Sequence, residues 1–383
     1  MIHQTCSFSK NLLTIFLIGV FLGFPLKNTV LGHENTNQEN PLPAPYDFNP
    51  CIRILSIDGG GVRGIIPASI LERIERKTGQ PISRLFDFIS GTSTGAVISL
   101  ALTKPAQDHP DAPLFSSRDL VGFYERDSKL LFPPKSPVKD KGFFMKQTRY
   151  SPDPPLRLFD QTFGKTGLGS SIVPVLIPTY NIKEKKPFFF KSWTKDTQSY
   201  RMSEVAGAAV AAPGYFPPAR LPVHGKHSGK KGALVLVDGG VFANNPTQYA
   251  LENSYQVGNI RKGLFILSLG TGKVSPGQAG KDAFHWEEAR WPTALGKALF
   301  ADPPGSSQKT GPQVMLRIEP VIPAENAAMD NAAPQNIMDL RTIAEHTITG
   351  GRKDFRRIVR ILLKPRPAGC FREGNTLSQD PGF

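Results

Sequence analysis

Three short segments carry residue types able to cleave an acyl bond. Ser93 sits in Gly91-Thr92-Ser93-Thr94-Gly95, between the apolar run Leu85-Phe86-Asp87-Phe88-Ile89 and the helix-like Ala96–Leu102. A serine on a tight strand-to-helix turn has its hydroxyl pushed clear of the backbone, and flanking glycines let strand and helix close around it. The helix start favours negative charge at that point. The second segment, Gly59-Gly60-Gly61-Val62-Arg63-Gly64, follows the buried-strand pattern Arg53–Asp58. Successive N–H groups of Gly59, Gly60 and Gly61 at a helix start can cradle an anion, either a phosphate or the oxyanion of a tetrahedral intermediate. The loop lacks a Gly-Lys-Ser/Thr ending and no acidic ribose ligand follows a second strand, which favours the oxyanion. The third segment is Leu234-Val235-Leu236-Val237-Asp238-Gly239-Gly240. Alone, Asp238-Gly239 is an ordinary turn pair. With the other two segments it would lie at the carboxyl edge of an α/β sheet, where active sites of that architecture collect.

The elements that must position these groups follow in order: strand, glycine loop, helix, strand, serine turn, helix. This is a βαβα start, and it predicts an α/β fold with a mostly parallel central sheet and helices on both faces. A helix is predicted over Ile65–Lys77, with Ile66, Ile70 and Ile74 on one face. From 104 to 170 the chain turns Pro-rich and basic, with one helix over 118–131, and reads as a lid-like insertion or a plain surface excursion. Further strands are expected at 172–182, 187–193, 234–238 and 264–269, and helices at 203–212, 337–349 and 352–363. Together they make a single domain over residues 51–365, preceded by a polar tether at 33–50 and followed by a loose tail at 366–383.

The 383 residues are 39% hydrophobic and 20% charged, a globular composition without low-complexity repeats. Lys10 followed by the apolar stretch Leu12–Phe24 and the small-residue site Val30-Leu31-Gly32 reads as a secretory signal peptide over residues 1–32. An uncleaved membrane anchor is the alternative, although the stretch is short for a transmembrane helix. Export from the cytoplasm follows from either, and a cleaved signal implies a secreted or periplasmic protein. Cys6 would leave with the signal, so Cys51 and Cys370 remain as a possible disulfide or as two unrelated thiols. No Cys-x-x-Cys or other metal-ligand spacing occurs, and no cofactor or metal is expected. Net charge is +14, and losing Lys10 and Lys27 with a signal that holds no acidic residue leaves +12. Such an excess favours polyanions. Without a nucleic-acid-binding signature, an anionic lipid surface is the expected partner and nucleic acid is not. The basic groups are Lys183-Glu184-Lys185-Lys186 and the loop holding Lys226, His227, Lys230 and Lys231. Phe143-Phe144-Met145 and Phe188-Phe189-Phe190 could enter a membrane, strand packing being the plainer reading of the second.

Taken together, Gly59–Gly64, Gly91–Gly95 and Asp238–Gly240 resemble the patatin-like phospholipases, lipid acyl hydrolases marked by G-G-G-x-[R/K]-G, G-x-S-x-G and Asp-Gly-Gly or Asp-Gly-Ala segments in that order. Supporting similarity lies in Ala211–Pro218, Phe242–Pro246 and Ser268–Gly272, so the resemblance covers roughly residues 52–275. It implies a Ser-Asp dyad, with Ser93 as nucleophile and Asp238 as proton acceptor, and an acyl-enzyme intermediate. The motif glycines Gly64, Gly91, Gly95, Gly239 and Gly240 make the close contacts sterically possible. An aspartate with the ordinary pKa near 3.9 pulls weakly on a serine proton, so geometry and oxyanion donors must supply the remainder. Two rivals stand beside this reading. A Ser-Asp-His triad esterase on small esters would need His285 or His346, and a weakly catalytic lipid-surface or host-protein binding module would need neither Ser93 nor Asp238. Arg63 is expected to brace the glycine loop, or else to touch a lipid phosphate.

Overall fold

The computed structural model describes residues 48–132, 148–224, 232–274 and 313–371. The signal and tether, the 226–231 loop, Phe143-Phe144-Met145 and His285 lie outside the described residues, apart from residues 48–50 of the tether. An eight-stranded sheet forms the centre. Its strands are β1 (Ile52–Ile57), β2 (Phe88–Gly91), β3 (Val175–Asn181), β4 (Lys186–Lys191), β5 (Ala219–Pro222), β6 (Ala233–Asp238), β7 (Leu264–Leu269) and β9 (Gln313–Ile318). A separate ribbon pairs β8 (Lys273–Val274) with β10 (Val321–Ile322). The main order is β5-β6-β3-β2-β1-β7-β9, with β4 on the remaining edge of β3. The run β3-β2-β1-β7-β9 is parallel, while β4, β5 and β6 pair antiparallel.

The period-2 alternation of strand side chains separates two apolar layers. On β1, Leu55 and Ile57 join the larger core, whereas Ile52 and Ile54 join a second cluster on the opposite face with Phe88, Leu176 and Ile266. The helices that cover the larger core include α1 (Ile65–Thr78), α3 (Thr94–Thr103), α4 (Ser117–Leu131), α5 (Asp153–Phe163), α6 (Met202–Ala209), α9 (Pro334–Gly350) and α10 (Arg352–Leu363), with α2 (Ile82–Leu85) a short turn between α1 and β2. After β6 come α7 (Gly240–Ala243) and α8 (Thr247–Asn253), and Ala250 of α8 packs in the second cluster. The mostly parallel α/β sheet with helices on both faces is therefore as expected.

Three expectations are corrected. The stretch 104–170 is no surface excursion in its described parts: Tyr124 of α4 and Phe159 of α5 are fully buried in the main core. α5 begins Asp153-Pro154-Pro155, which reads as loop, yet proline is tolerated in a helix's first turn because that turn's N–H groups have no intrahelical acceptor. Residues 366–371 are not loose either. Arg366 pairs with half-buried Asp87 at 2.8 Å, the Asn259 N–H donates to the Cys370 carbonyl at 2.8 Å, and Cys370 forms a disulfide with Cys51. Phe188 and Phe190 pack within β4 as ordinary strand residues, and the 183–186 tip is the exposed β3–β4 turn.

Candidate active site

β2 ends at Gly91, and the chain turns through Thr92 and Ser93 into α3. Ser93 is held at φ 55° and ψ −119°, a left-handed backbone that a side chain avoids unless its surroundings impose it. Those surroundings are tight. A Cβ on Gly91 would lie 2.0 Å from the Gly95 carbonyl oxygen, and one on Gly95 would lie 2.3 Å from that of Ile57. Only glycine lets the serine turn close onto itself and onto β1. The same turn is bonded to both neighbouring segments: the Thr92 N–H donates to the Ile57 carbonyl at 3.1 Å and the Thr92 hydroxyl to the Ala243 carbonyl at 2.6 Å.

Asp238 reaches Ser93 by a route that differs from the expected one. β4 pairs with Leu176–Asn181 along one edge of β3, so β2, at Val175 and Leu176, and β6, at Thr179–Asn181, must share the other. β6 runs antiparallel there, and its last residue, Asp238, pairs with Thr179 just beyond the point where β2 leaves the edge. The aspartate thus meets the serine turn head-on, from a strand of opposite direction, rather than from the carboxyl end of a parallel neighbour. Asp238 is 1% exposed, and its Oδ1 accepts the Gly240 N–H at 2.8 Å. Burial raises its pKa to about 7, against which the Ser93 hydroxyl and the Gly240 N–H pull downward. Oδ2 is buried and has no partner of good hydrogen-bond geometry among the described residues.

The glycine loop lies on the third side. The Gly59 N–H, expected among the anion donors, is already taken by the Asn244 carbonyl at 3.0 Å. Among the described residues the N–H groups of Gly60, Gly61 and Thr94 have no acceptor, and all three residues line the same cleft as Ser93 and Asp238. Thr94 was open to sequence reasoning, because the residue after a nucleophile elbow commonly contributes its N–H. Thr94 Oγ1 is also bonded to the buried Tyr124 hydroxyl, which ties α4 to the start of α3. Arg63 is bonded to the carbonyls of Gly60 at 3.3 Å and Gly272 at 3.2 Å, and Thr271 donates to the Gly59 carbonyl at 2.6 Å. Arg63 is therefore a brace of the loop. The Asp58 carboxylate, just before the loop, pairs with Arg317 of β9 at 2.6 Å.

Apart from Ser93, Thr94, Asp238, Asn244 and the backbone N–H groups, the walls of the cleft are apolar or aromatic, with Val97, Leu131, Phe159 and Phe216 among them. No histidine lines it among the described residues, and His346 sits on α9 away from it. A hydroxyl beside a carboxylate that can hold a proton near neutrality, with unpaired N–H groups in the same cleft, is equipped for attack on an ester carbonyl.

Comparison with known proteins bears on the family of the chain. The patatin-like phospholipase family profile matches residues 55–251, which takes in the glycine loop, the serine turn and Asp238. Patatin-like protein 1 of Arabidopsis thaliana is 28% identical over 362 residues, covering 81% of this chain and 86% of the relative. Patatin-like protein 2 of the same plant is 32% identical over 282 residues, 67% of this chain and 68% of its own. The chain spans a smaller share, 52%, of patatin-like protein 2 from Oryza sativa subsp. indica, at 35% identity over 214 residues. Among solved structures, VipD from Legionella pneumophila is similar over 78% of this chain and 67% of its own at 12% identity, with a TM-score of 0.35, too slight a likeness to argue from. On the extent of the profile and of the Arabidopsis relatives, the chain belongs to the patatin-like phospholipase family.

Proposed function

We propose that the protein is a lipid acyl hydrolase of phospholipase A or lysophospholipase type, working through a Ser93–Asp238 dyad. The observation that carries this reading is the strained Ser93 beside the buried carboxylate of Asp238 in an apolar cleft. Ser93 Oγ attacks the ester carbonyl while its proton passes to Asp238. The carbonyl oxygen becomes an oxyanion held by the N–H groups of Gly60, Gly61 and Thr94, which are fixed in place before charge develops and are each worth roughly 3–4 kcal/mol in comparable sites. Collapse of the intermediate expels the alcohol half of the lipid, which takes the proton back from Asp238. Water then gives its proton to Asp238, attacks the Ser93 acyl ester, and the fatty acid leaves as the proton returns to Ser93.

Family membership supports the general activity, hydrolysis of lipid esters, and the apolar cleft supports an acyl chain as the part bound. The positive net charge supports docking on an anionic membrane surface, and binding to anionic vesicles is then expected to weaken as salt rises. The apolar stretch Leu12–Phe24 and the Cys51–Cys370 disulfide support export to a secreted or periplasmic compartment.

The test is fatty-acid release from phospholipid vesicles by the wild type, Ser93→Ala and Asp238→Asn, each checked for folding by thermal unfolding. Release by the wild type alone is expected, and equal release by all three would overturn the dyad. Replacing His285 and His346 is expected to leave turnover in place, whereas loss of turnover would favour a triad.

A further inference from the structure

The cleft has one wall from far along the chain. Met329 lies beyond the 55–251 stretch that carries the family motifs, yet it lines the cleft and packs against the cluster of Tyr150, Tyr215 and Phe216. Its main chain is fixed on both sides. The Met329 carbonyl accepts the Val62 N–H at 2.8 Å, and it fits so closely against the glycine loop that a Cβ on Gly61, whose φ is +60°, would come within 2.1 Å of that oxygen. The next residue, Asp330, accepts the Tyr150 hydroxyl at 2.8 Å and pairs with Arg149. Arg149 and Tyr150 are in turn anchored to the 214–215 segment, through N–H bonds to the Gly214 and Tyr215 carbonyls at 3.0 and 2.9 Å, and the Arg149 guanidinium sits 5.1 Å from the centre of the Tyr215 ring.

A fixed backbone carrying an unbranched, adaptable side chain suits a wall that shapes the space for an apolar ligand. We propose that Met329 sets the acyl-chain selectivity of this cleft, and that Asp330 is the positioning residue that holds it there. The proposal rests on the acyl-hydrolase reading for the nature of the ligand, an extended acyl chain entering beside Ser93. A larger side chain at 329 removes space for chain carbons and a smaller one adds it, and apolar pockets discriminate by roughly 10- to 200-fold per methylene at best. Loss of the Asp330 anchor frees the wall and moves selectivity in the direction of the smaller side chain.

The experiment measures kcat/KM of the full chain on p-nitrophenyl acetate, octanoate and palmitate for the wild type, Met329→Trp, Met329→Ala and Asp330→Ala. In Met329→Trp the palmitate-to-acetate ratio is expected to fall about tenfold or more. Met329→Ala and Asp330→Ala are expected to raise it. A second readout is independent of turnover: displacement of a fluorescent fatty acid from Ser93→Ala protein by octanoic and palmitic acids, with and without each Met329 and Asp330 change. Should Met329→Trp fail to fold, Met329→Phe takes its place with the same expected direction. Ratios and displacement profiles that stay within about twofold of the unsubstituted protein in folded variants overturn the proposal. A protein that hydrolyses none of the esters but whose fatty-acid preference shifts with residue 329 sinks the hydrolase reading and leaves the selectivity role standing.

Discussion

Asp238 is an ordinary residue type in an unusual setting, and in the proposed dyad that setting decides how activity depends on pH. Free aspartate is too acidic to be an effective base for serine, but burial lifts Asp238 to about 7, where it can take up a proton and return it within one cycle. kcat/KM is therefore expected to fall as pH drops below about 7, because the protonated carboxyl can no longer accept the Ser93 proton; a rate independent of pH from about 5 to about 8 would count against Asp238 as the base. Ser93→Ala and Asp238→Asn are each expected to lose roughly 10³-fold or more of kcat, with the double variant scarcely worse, since the two act as a unit. Stability should respond with the opposite sign to that of a usual paired carboxylate. The folded pKa lies above the unfolded value near 3.9, so between about pH 4 and about pH 7 the folded state binds more protons than the unfolded chain, and stability declines as pH rises. Asp238→Asn, which cannot ionise, is expected to unfold at a higher temperature than the wild type at about pH 8, with the gap closing toward about pH 4. The full shift is worth at most about 4 kcal/mol, at 1.36 kcal/mol per pKa unit. Much of this site is legible at residue level: Ser93, Asp238 and the glycines stand in recognisable local patterns. The occupied Gly59 N–H and the Met329 wall are not, because each depends on a partner distant in sequence that no local pattern announces.

Among the elements, β6 and β9 show where local pattern runs out. An apolar strand ending in Asp-Gly-Gly reads the same whether it enters a sheet parallel or antiparallel, so the head-on approach of β6 to the serine turn follows only from its pairing with β3. β9 was missed altogether. Met315 on it is 58% exposed, and an edge strand with one wet face, set between prolines, lacks the apolar run Leu264–Leu267 by which β7 is recognised. Its contribution is nonetheless close to the site, since Arg317 spans Asp58 and the Ser268 hydroxyl, at 2.6 and 2.7 Å, while Glu319 accepts the Gly272 N–H at 2.8 Å. These bonds hold the end of β7 against the glycine loop. Arg317→Met is expected to destabilise the fold by on the order of 2–3 kcal/mol and to lower kcat more than it raises KM, because it leaves Asp58 buried without its cation and loosens the loop that carries the proposed oxyanion donors. Burial already pushes Asp58 up to about 6, so adding Asp58→Asn should return part of the lost unfolding temperature; no recovery in the double variant would show that the pairing is not what Arg317 supplies. Gly95→Ala tests the neighbouring contact. Its Cβ would press on backbone oxygens of Ile57 and Asp58 that cannot rotate away, so a loss of about 1–3 kcal/mol in denaturant unfolding is expected, together with reduced turnover.

At the scale of the whole molecule, the site and the closure of the chain lie at opposite ends of β1. Six residues at about 3.3 Å each place roughly 20 Å between them. Cys51 enters the strand beside its partner Cys370, whereas Asp58 and the glycine loop leave it. The disulfide closes 319 residues of sequence separation, and the segment it fastens is held independently by Arg366 on Asp87 and by the Arg53 guanidinium, which donates to the Leu362 carbonyl at 2.6 Å. In the chain-entropy account, a crosslink of such span acts mainly by restricting the unfolded chain and contributes roughly 2–4 kcal/mol in typical cases. Replacing both cysteines by serine is then expected to lower Tm by several degrees, while kcat at room temperature on a soluble ester stays close to that of the wild type. Arg366 and Arg53 keep the closing segment in place in the folded state, so the effect should appear in unfolding and not in turnover. A double serine variant that unfolds like the wild type would mean that these polar contacts alone secure the closure. One whose kcat falls in proportion to its Tm would mean that the base of β1 and the glycine loop at its far end are mechanically coupled through the strand.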